Sequence, residues 1–249
     1  MKCMVAILSF VMYAAGAHSA IAQTILKVGS SPTGSPFSFL DTKTNTLRGA
    51  MIDIMKAVEK EAGVKLEFEP IPFSSLIASL TSKKIDVIAT PMFITPKRAE
   101  IVDFSQMIYG YGEGLAVPNK DTAQYKSFAD LQGKTVGVAV GTAYIEPLQK
   151  AGVFKEVKIY DNIQELMRDV NVGRIDAAFI DYPIAAYGIS TGNYANIHMV
   201  SSYKPTLPGE VGLAVRKGEP ELLKKLNDAI TKIKSNGQLD AILKTWGMK

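Results

Sequence analysis

Short apolar runs alternate with amphipathic stretches along almost the whole chain, and glycines mark the changeovers. Residues 26–29 read as a strand. A helical stretch then carries apolar Met51, Met55, Val58 and Ala62 on one face, with Gly49 before it and Gly63 behind it as a C-cap. Residues 64–68 alternate like a strand. Ser74 or Ser75 can cap a short helix bearing Leu76, Ile77 and Leu80, and residues 85–89 form a strand of buried character. Thr95-Pro96 opens a helical turn, with Thr as N-cap and Pro at the first helical position.

A second series starts near residue 127. Residues 128–131 make a helical turn closed by Gly133, and 135–140 form an apolar strand that Gly141-Thr142 ends while opening a helix towards Gly152. Residues 157–160 are a strand. Asn162 and Glu165 then form a capping box ahead of Ile163, Leu166, Met167 and Val170. Residues 174–180 are a strand ending in Asp181, and 211–215 are another. A long amphipathic helix after Pro220 and a short one reaching Trp246 complete the chain. This alternation predicts an α/β fold, a mostly parallel sheet covered by helices. It also repeats. Lys84-Ile85-Asp86-Val87-Ile88 resembles Arg174-Ile175-Asp176-Ala177-Ala178, and each lies downstream of a Val-Gly strand, at Val28-Gly29 and Val136-Gly137. Two similar lobes would produce that echo. Gly110, Gly112 and Gly114 suggest a flexible crossing between them.

The first 22 residues stand apart. Lys2 gives a positive start, an apolar run of about 13 residues follows, and Ala20-Ile21-Ala22 has the form of a cleavage site. The run is too short to span a bilayer comfortably. Residues 1–22 are therefore read as a secretory signal peptide, and the mature protein as exported and soluble. Cleavage would remove the single cysteine, Cys3, and one of the two histidines, leaving His198. That excludes disulfides, cysteine nucleophiles, thiolate metal sites and zinc sites built on paired histidines. No G-x-S-x-G motif exists to pair with His198. No cofactor or metal is implied. The net charge of +4 falls to +3 with the loss of Lys2, and the remaining basic residues are dispersed, which argues against a nucleic-acid surface.

Ligands of open α/β sheets bind beyond the carboxyl ends of the strands. Three places qualify: Thr90-Pro91-Met92-Phe93 with Arg98 shortly after, Gly141-Thr142, and Asp181. Arg98 can hold a carboxylate with two parallel hydrogen bonds, or make a surface ion pair with a residue such as Asp103. Gly141-Thr142 offers backbone N–H groups at a helix start. Asp181 can accept from an ammonium group or cap the helix behind it. Together the three describe a receptor for a small zwitterion between two lobes.

At this point the chain resembles the periplasmic amino-acid-binding proteins of ABC importers, the family 3 solute-binding proteins. The resemblance rests on Ser35-Pro36-Phe37-Ser38-Phe39, on Leu47-Arg48-Gly49-Ala50-Met51-Ile52-Asp53-Ile54 and on Ile94-Thr95-Pro96-Lys97-Arg98. In the second half it rests on Asp130-Leu131-Gln132-Gly133-Lys134-Thr135-Val136-Gly137-Val138 and on Gly173-Arg174-Ile175-Asp176-Ala177-Ala178 leading to Asp181. It implies a two-lobe periplasmic-binding-protein (type II) fold joined by two hinge strands. The first lobe would be residues 23–110 with 208–249, and the second 111–207. It also implies a periplasmic, monomeric, non-catalytic carrier that delivers a small amino acid or related zwitterion to an inner-membrane permease. By the same resemblance Arg98 would grip the ligand carboxylate, Thr142 and Ala143 would add hydrogen bonds to it, and Asp181 would take the ammonium group. Phe73 and Tyr144 match pocket positions, and Met92 would line the cleft. Gly34 stands where the family has a stacking aromatic, Pro91 where it has a small residue, and Phe93 where it has a hydroxyl. Such a cleft would be more apolar than that of a lysine or histidine binder. The alternative is an exported cyclohexadienyl dehydratase on the same scaffold, with Asp181, Glu113, Glu146 or Glu210 as candidate acids.

Overall fold

A computed structural model describes residues 24–249. The signal-peptide expectation for residues 1–22 lies outside them. The first half runs β1 (Ile25–Ser30), β2 (Thr33–Gly34), β3 (Ser38–Asp41), β4 (Thr46–Arg48), α1 (Ala50–Ala62), β5 (Lys65–Pro70), α2 (Leu76–Thr81), β6 (Val87–Ile88), α3 (Pro96–Ala99) and β7 (Val102–Phe104). Strands β8 (Tyr109–Tyr111) and β9 (Glu113–Pro118) lead to β10 (Thr135–Ala139), α4 (Ile145–Ala151), β11 (Glu156–Tyr160), α5 (Ile163–Asn171), β12 (Ala177–Asp181), α6 (Tyr182–Ser190) and β13 (Ile197–Met199). The chain ends with β14 (Gly209–Val211), β15 (Ala214–Arg216), α7 (Pro220–Ser235) and α8 (Gln238–Thr245).

Two five-stranded sheets form the lobes, in the orders β5-β1-β6-β15-β7 and β11-β10-β12-β9-β13. In each, three parallel strands are followed by one reversed strand, β15 or β9, and by a fifth, β7 or β13, that runs with the first three. The sheets are thus mixed, which corrects the expectation of a mostly parallel sheet. The reversed strands, β9 and β15, enter directly from the crossing strands β8 and β14, so their direction is set by the crossing between lobes and no local pattern announces it.

The sequence echo has a physical basis. In the first lobe the Asp86 carboxylate accepts from Lys27 N at 2.9 Å while Asp86 N donates to Lys27 O at 2.7 Å. In the second, Asp176 accepts from Thr135 N at 2.8 Å and its own N donates to Thr135 O at 2.9 Å. The isoleucine before each aspartate packs over the glycine of the adjacent strand. A Cβ on Gly29 would stand 2.4 Å from Ile85 Cδ1, and one on Gly137 would stand 2.6 Å from Ile175 Cδ1. Only a residue without a side chain lets helix and sheet approach so closely.

Helix α1 is placed as its spacing predicts, burying Met51, Met55 and Val58 against α7 and α8 and ending in a left-handed Gly63 at φ 64°. Asn162 caps α5 through Glu165 N at 2.9 Å. Three expectations change. The glycine-rich segment is a β-crossing rather than a loose one: β8 pairs antiparallel with β14. The predicted strand 211–215 is split between β14 and β15, because Gly212 passes tightly against Ser105 and Ser105 Oγ accepts from Leu213 N at 2.9 Å. Helix α4 starts at Ile145, and residues 141–144 form a turn in which Thr142 Oγ1 donates to Ala139 O at 2.9 Å.

Candidate functional site

The carboxyl ends of the parallel strands of both sheets face one cleft. An inner cavity of about 250 Å³ lies there, lined by Ser31, Thr33, Phe73 and Pro91 from the first lobe and by Val140, Thr142, Asp161 and Asp181 from the second. A more open cavity of about 800 Å³ adjoins it at Thr142 and is lined by Arg98, Gly141 and Ala143.

Asp181 is the last residue of β12 and stands at the N-cap position of α6, yet its side chain makes no capping bond. Its carboxylate turns to the cleft instead. Tyr144 donates its hydroxyl to Asp181 Oδ1 at 2.6 Å. Tyr111 faces the same carboxylate and lies 3.3 Å from the Pro91 carbonyl. Burial pushes the Asp181 carboxyl up to about 6, while the Tyr144 and Tyr111 hydroxyls and the Arg98 charge pull it back. Burial beside this carboxylate also drives both phenols above their ordinary range. Asp181 is therefore a desolvated acceptor held by two neutral donors.

Arg98 is oriented by its own short helix. Thr95 Oγ1 accepts from Arg98 N at 3.3 Å, and Pro96 fixes the first helical residue. The guanidinium donates to Phe93 O at 2.6 Å and, across the cleft, to Gly141 O at 2.9 Å. It lies 5.7 Å from the centroid of the Phe73 ring, in cation–π range. Desolvation lowers its pKa, and the charge of Asp181 opposes that. It does not pair with Asp103, which is taken by Lys217 at 2.8 Å. A second contact crosses the cleft, from Gln164 Nε2 to Thr33 O at 3.4 Å. The lobes meet in a closed arrangement.

The structure brings Arg98, Asp181, Thr142, Ala143, Phe73 and Pro91 to the cleft. Five other candidates line neither cavity. Thr90 is buried, with its hydroxyl 3.2 Å from Ser38 Oγ. Met92 packs with Leu76, Leu80, Ile85 and Ile88 in a small core under the first sheet. Phe93 is wedged between Tyr111 and Tyr144, at 4.7 and 5.7 Å between ring centroids, with its ring against Gly209. Tyr144 is itself buried behind Asp181. Gly34 is buried too, and a Cβ there would face Ile184 and Pro91. Met92 and Phe93 therefore do not line the cleft as expected, because the segment after β6 directs both into the interior; the apolar lining of the inner cavity comes from Phe73, Pro91, Val140 and Ile163 instead. Sequence reasoning also missed Tyr111 and Asp161. Tyr111 lay in a segment read as flexible. Asp161 ends a strand, as Asp181 does, and that shared placement was the available signal.

Comparison with known proteins places the chain in a family. Residues 26–249 match the bacterial extracellular solute-binding proteins, family 3. The L-cystine-binding protein TcyJ of Escherichia coli (strain K12) is 33% identical over 221 residues, covering 89% of this chain and 82% of the relative. A solved ancestral arginine-binding protein bound to glutamine superposes with a TM-score of 0.83 at 36% identity, covering 91% of this chain and 99% of the other. An ancestral amino acid-binding protein described as a precursor of cyclohexadienyl dehydratase has a TM-score of 0.79 at 33% identity, covering 89% and 94%. The chain belongs to family 3 of the bacterial extracellular solute-binding proteins.

Proposed function

We propose that this protein is an exported receptor for an amino-acid zwitterion, which it holds between closing lobes and presents to an ABC permease. The lobes are residues 23–110 with 208–249, and 111–207. One observation carries the reading: a cation on the first lobe, Arg98, and an anion on the second, Asp181, converge on one cleft. A ligand carboxylate takes the Arg98 donors now directed at the Phe93 and Gly141 carbonyls, and Thr142 and Ala143 stand beside it. The ligand ammonium group lies against Asp181, whose position Tyr144 fixes. A ligand touching both lobes stabilises the closed form by its differential affinity for that form.

The dehydratase alternative needs a general acid in the cleft. Glu113 accepts four hydrogen bonds, from Tyr203 Oη, Thr206 N, Thr206 Oγ1 and Leu207 N, so its oxygens are occupied in the hinge. Glu146 is exposed and paired with Lys150 at 2.6 Å. It lines the outer cavity but not the inner one, and Glu210 lines neither. Of the candidate acids only Asp181 lines the inner cavity, and there it is assigned to the ligand ammonium group, so binding without chemistry is the reading favoured.

A thermal-shift screen against the common amino acids, with prephenate monitored by ultraviolet absorbance in parallel, tests the two readings. A receptor gives a melting-temperature rise with at least one amino acid and no change in prephenate absorbance. Turnover of prephenate, or no shift with any amino acid, contradicts the proposal.

A further inference from the structure

Beside the charged clamp, an apolar contact joins the two lobes at the edge of the cleft. Gly34 ends β2, next to Thr33, which lines the inner cavity, and it is buried. Ile184 stands in the first turn of α6, shortly after Asp181, and only 3% of it is exposed. A Cβ on Gly34 would lie 3.5 Å from Ile184 Cδ1, 3.6 Å from Ser38 O and 3.8 Å from Pro91 Cγ. These are ordinary van der Waals distances to three neighbours at once. The space at Gly34 therefore accepts a methyl group and resists anything larger.

The three neighbours differ in how they can give way. Ser38 and Pro91 belong to the same lobe as Gly34, and Ser38 is paired with Gly34 between β2 and β3. Ile184 belongs to the other lobe, because α6 packs on β9, β12 and β13 of the second sheet. A larger side chain at Gly34 gains room most cheaply by displacing that whole lobe about the hinge. The same edge is met by the second lobe at Thr33, whose carbonyl accepts from Gln164 Nε2 of α5 at 3.4 Å. The opposite flank of the cleft has a matching approach, where a Cβ on Gly141 would lie 3.3 Å from Ser74 Cα. Gly141 has φ 78°, so a substitution there strains the backbone wherever the lobes stand. Gly34 lies in a strand, and there the spacing between lobes can be varied by itself.

The spacing matters because the clamp is divided. Arg98 is carried by the first lobe and Asp181 by the second. Ile184 is joined to Asp181 through the first turn of α6, so pushing Ile184 away withdraws the carboxylate as well. Apparent affinity falls with the fraction of molecules able to reach the binding-competent arrangement.

We propose that the contact between Gly34 and Ile184 sets how far the lobes close. Gly34 is a positioning residue: having no side chain, it lets Ile184 seat against the first lobe, and that seating brings Asp181 within reach of a ligand held by Arg98. The assignment rests on the zwitterion reading given above.

Calorimetric titration with an equimolar mixture of the common L-amino acids tests it, with small-angle X-ray scattering of the saturated samples in parallel. Gly34→Ala is expected to keep the wild-type affinity within about twofold, since a methyl group fits. Gly34→Leu is expected to lose about tenfold or more, and its saturated form to scatter as a more open molecule than the wild type. Adding Ile184→Ala to Gly34→Leu is expected to recover at least about threefold of that loss and the compact scattering, which general damage to the first lobe would not allow. Ile184→Phe enlarges the same contact from the other lobe and is expected to behave as Gly34→Leu does, so it carries the test should Gly34→Leu not fold. Wild-type affinity in the enlarged variants, or no recovery in the double variant, overturns the assignment and leaves the zwitterion reading intact. If the mixture does not bind the wild type, the zwitterion reading fails and the assignment falls with it.

Discussion

Asp181 has two tyrosine hydroxyls facing it, and burial still holds its carboxyl at about 6. The unfolded value is about 3.9, so the folded state binds this proton more tightly than the unfolded chain does. The contribution to stability is then fully present below about pH 4 and is lost as pH rises through about 6. Asp181→Asn removes the buried charge. It should therefore raise the melting temperature of the ligand-free protein at pH 7.5 while abolishing ligand binding, which thermal denaturation and calorimetry read separately. Binding has the opposite pH dependence. An ammonium ligand needs the carboxylate form, so affinity should rise with pH up to about 6 and level off above it. Tyr144→Phe removes a donor that favours the carboxylate, and calorimetry should find its loss of affinity greater at pH 6 than at pH 8. The sequence already marked Asp181 and Arg98, because each follows a buried-type strand at its carboxyl end. It did not show that Phe93 and Met92 turn inward, because side-chain direction in the irregular segment between β6 and α3 depends on packing partners far along the chain, such as Val211, which bridges to Phe93.

Elements, taken singly, follow from local rules wherever a cap or a glycine sets a boundary. Thr95 before Pro96 and Gly63 behind α1 act as their positions predict, and Asn162 caps Glu165 N although the Glu165 side chain does not return the bond that the expected capping box requires. Boundaries set by distant contacts were not legible. Strands β7, β8, β13 and β14 have three residues each and exist only through their partners. The hinge illustrates this. Strands β8 and β14 pair, and Glu113, fully buried just beyond β8, ties the returning chain at Thr206 and Leu207. Glu113→Gln turns an amide donor towards these donors and leaves buried groups unpaired. Loss of about 2–3 kcal/mol is expected, a fall of roughly 5–10 °C in melting temperature by differential scanning calorimetry. An unchanged melting temperature would show that the carboxylate is not the tie between the two crossings. In the sheets, Gly137→Ala places a methyl group against Leu166, Ile175 and Tyr160 and should cost about 1–3 kcal/mol, measurable by urea denaturation.

For the whole molecule, the repeated lobe was visible in sequence because the same small device, an Ile-Asp pair over a Val-Gly strand, recurs in each half. The mixed order of the sheets was not, since it depends on how β9 and β15 return after leaving the opposite lobe. In the proposed reading, one charged clamp residue on each lobe makes closure and binding a single event. The most direct measurement is calorimetric titration of the best-binding amino acid from the thermal-shift screen into the wild type, Arg98→Ala and Asp181→Asn. Loss of about 30-fold or more in affinity is predicted for each variant, with far-ultraviolet circular dichroism unchanged. Wild-type affinity in either variant would show that the ligand is not clamped between these two charges.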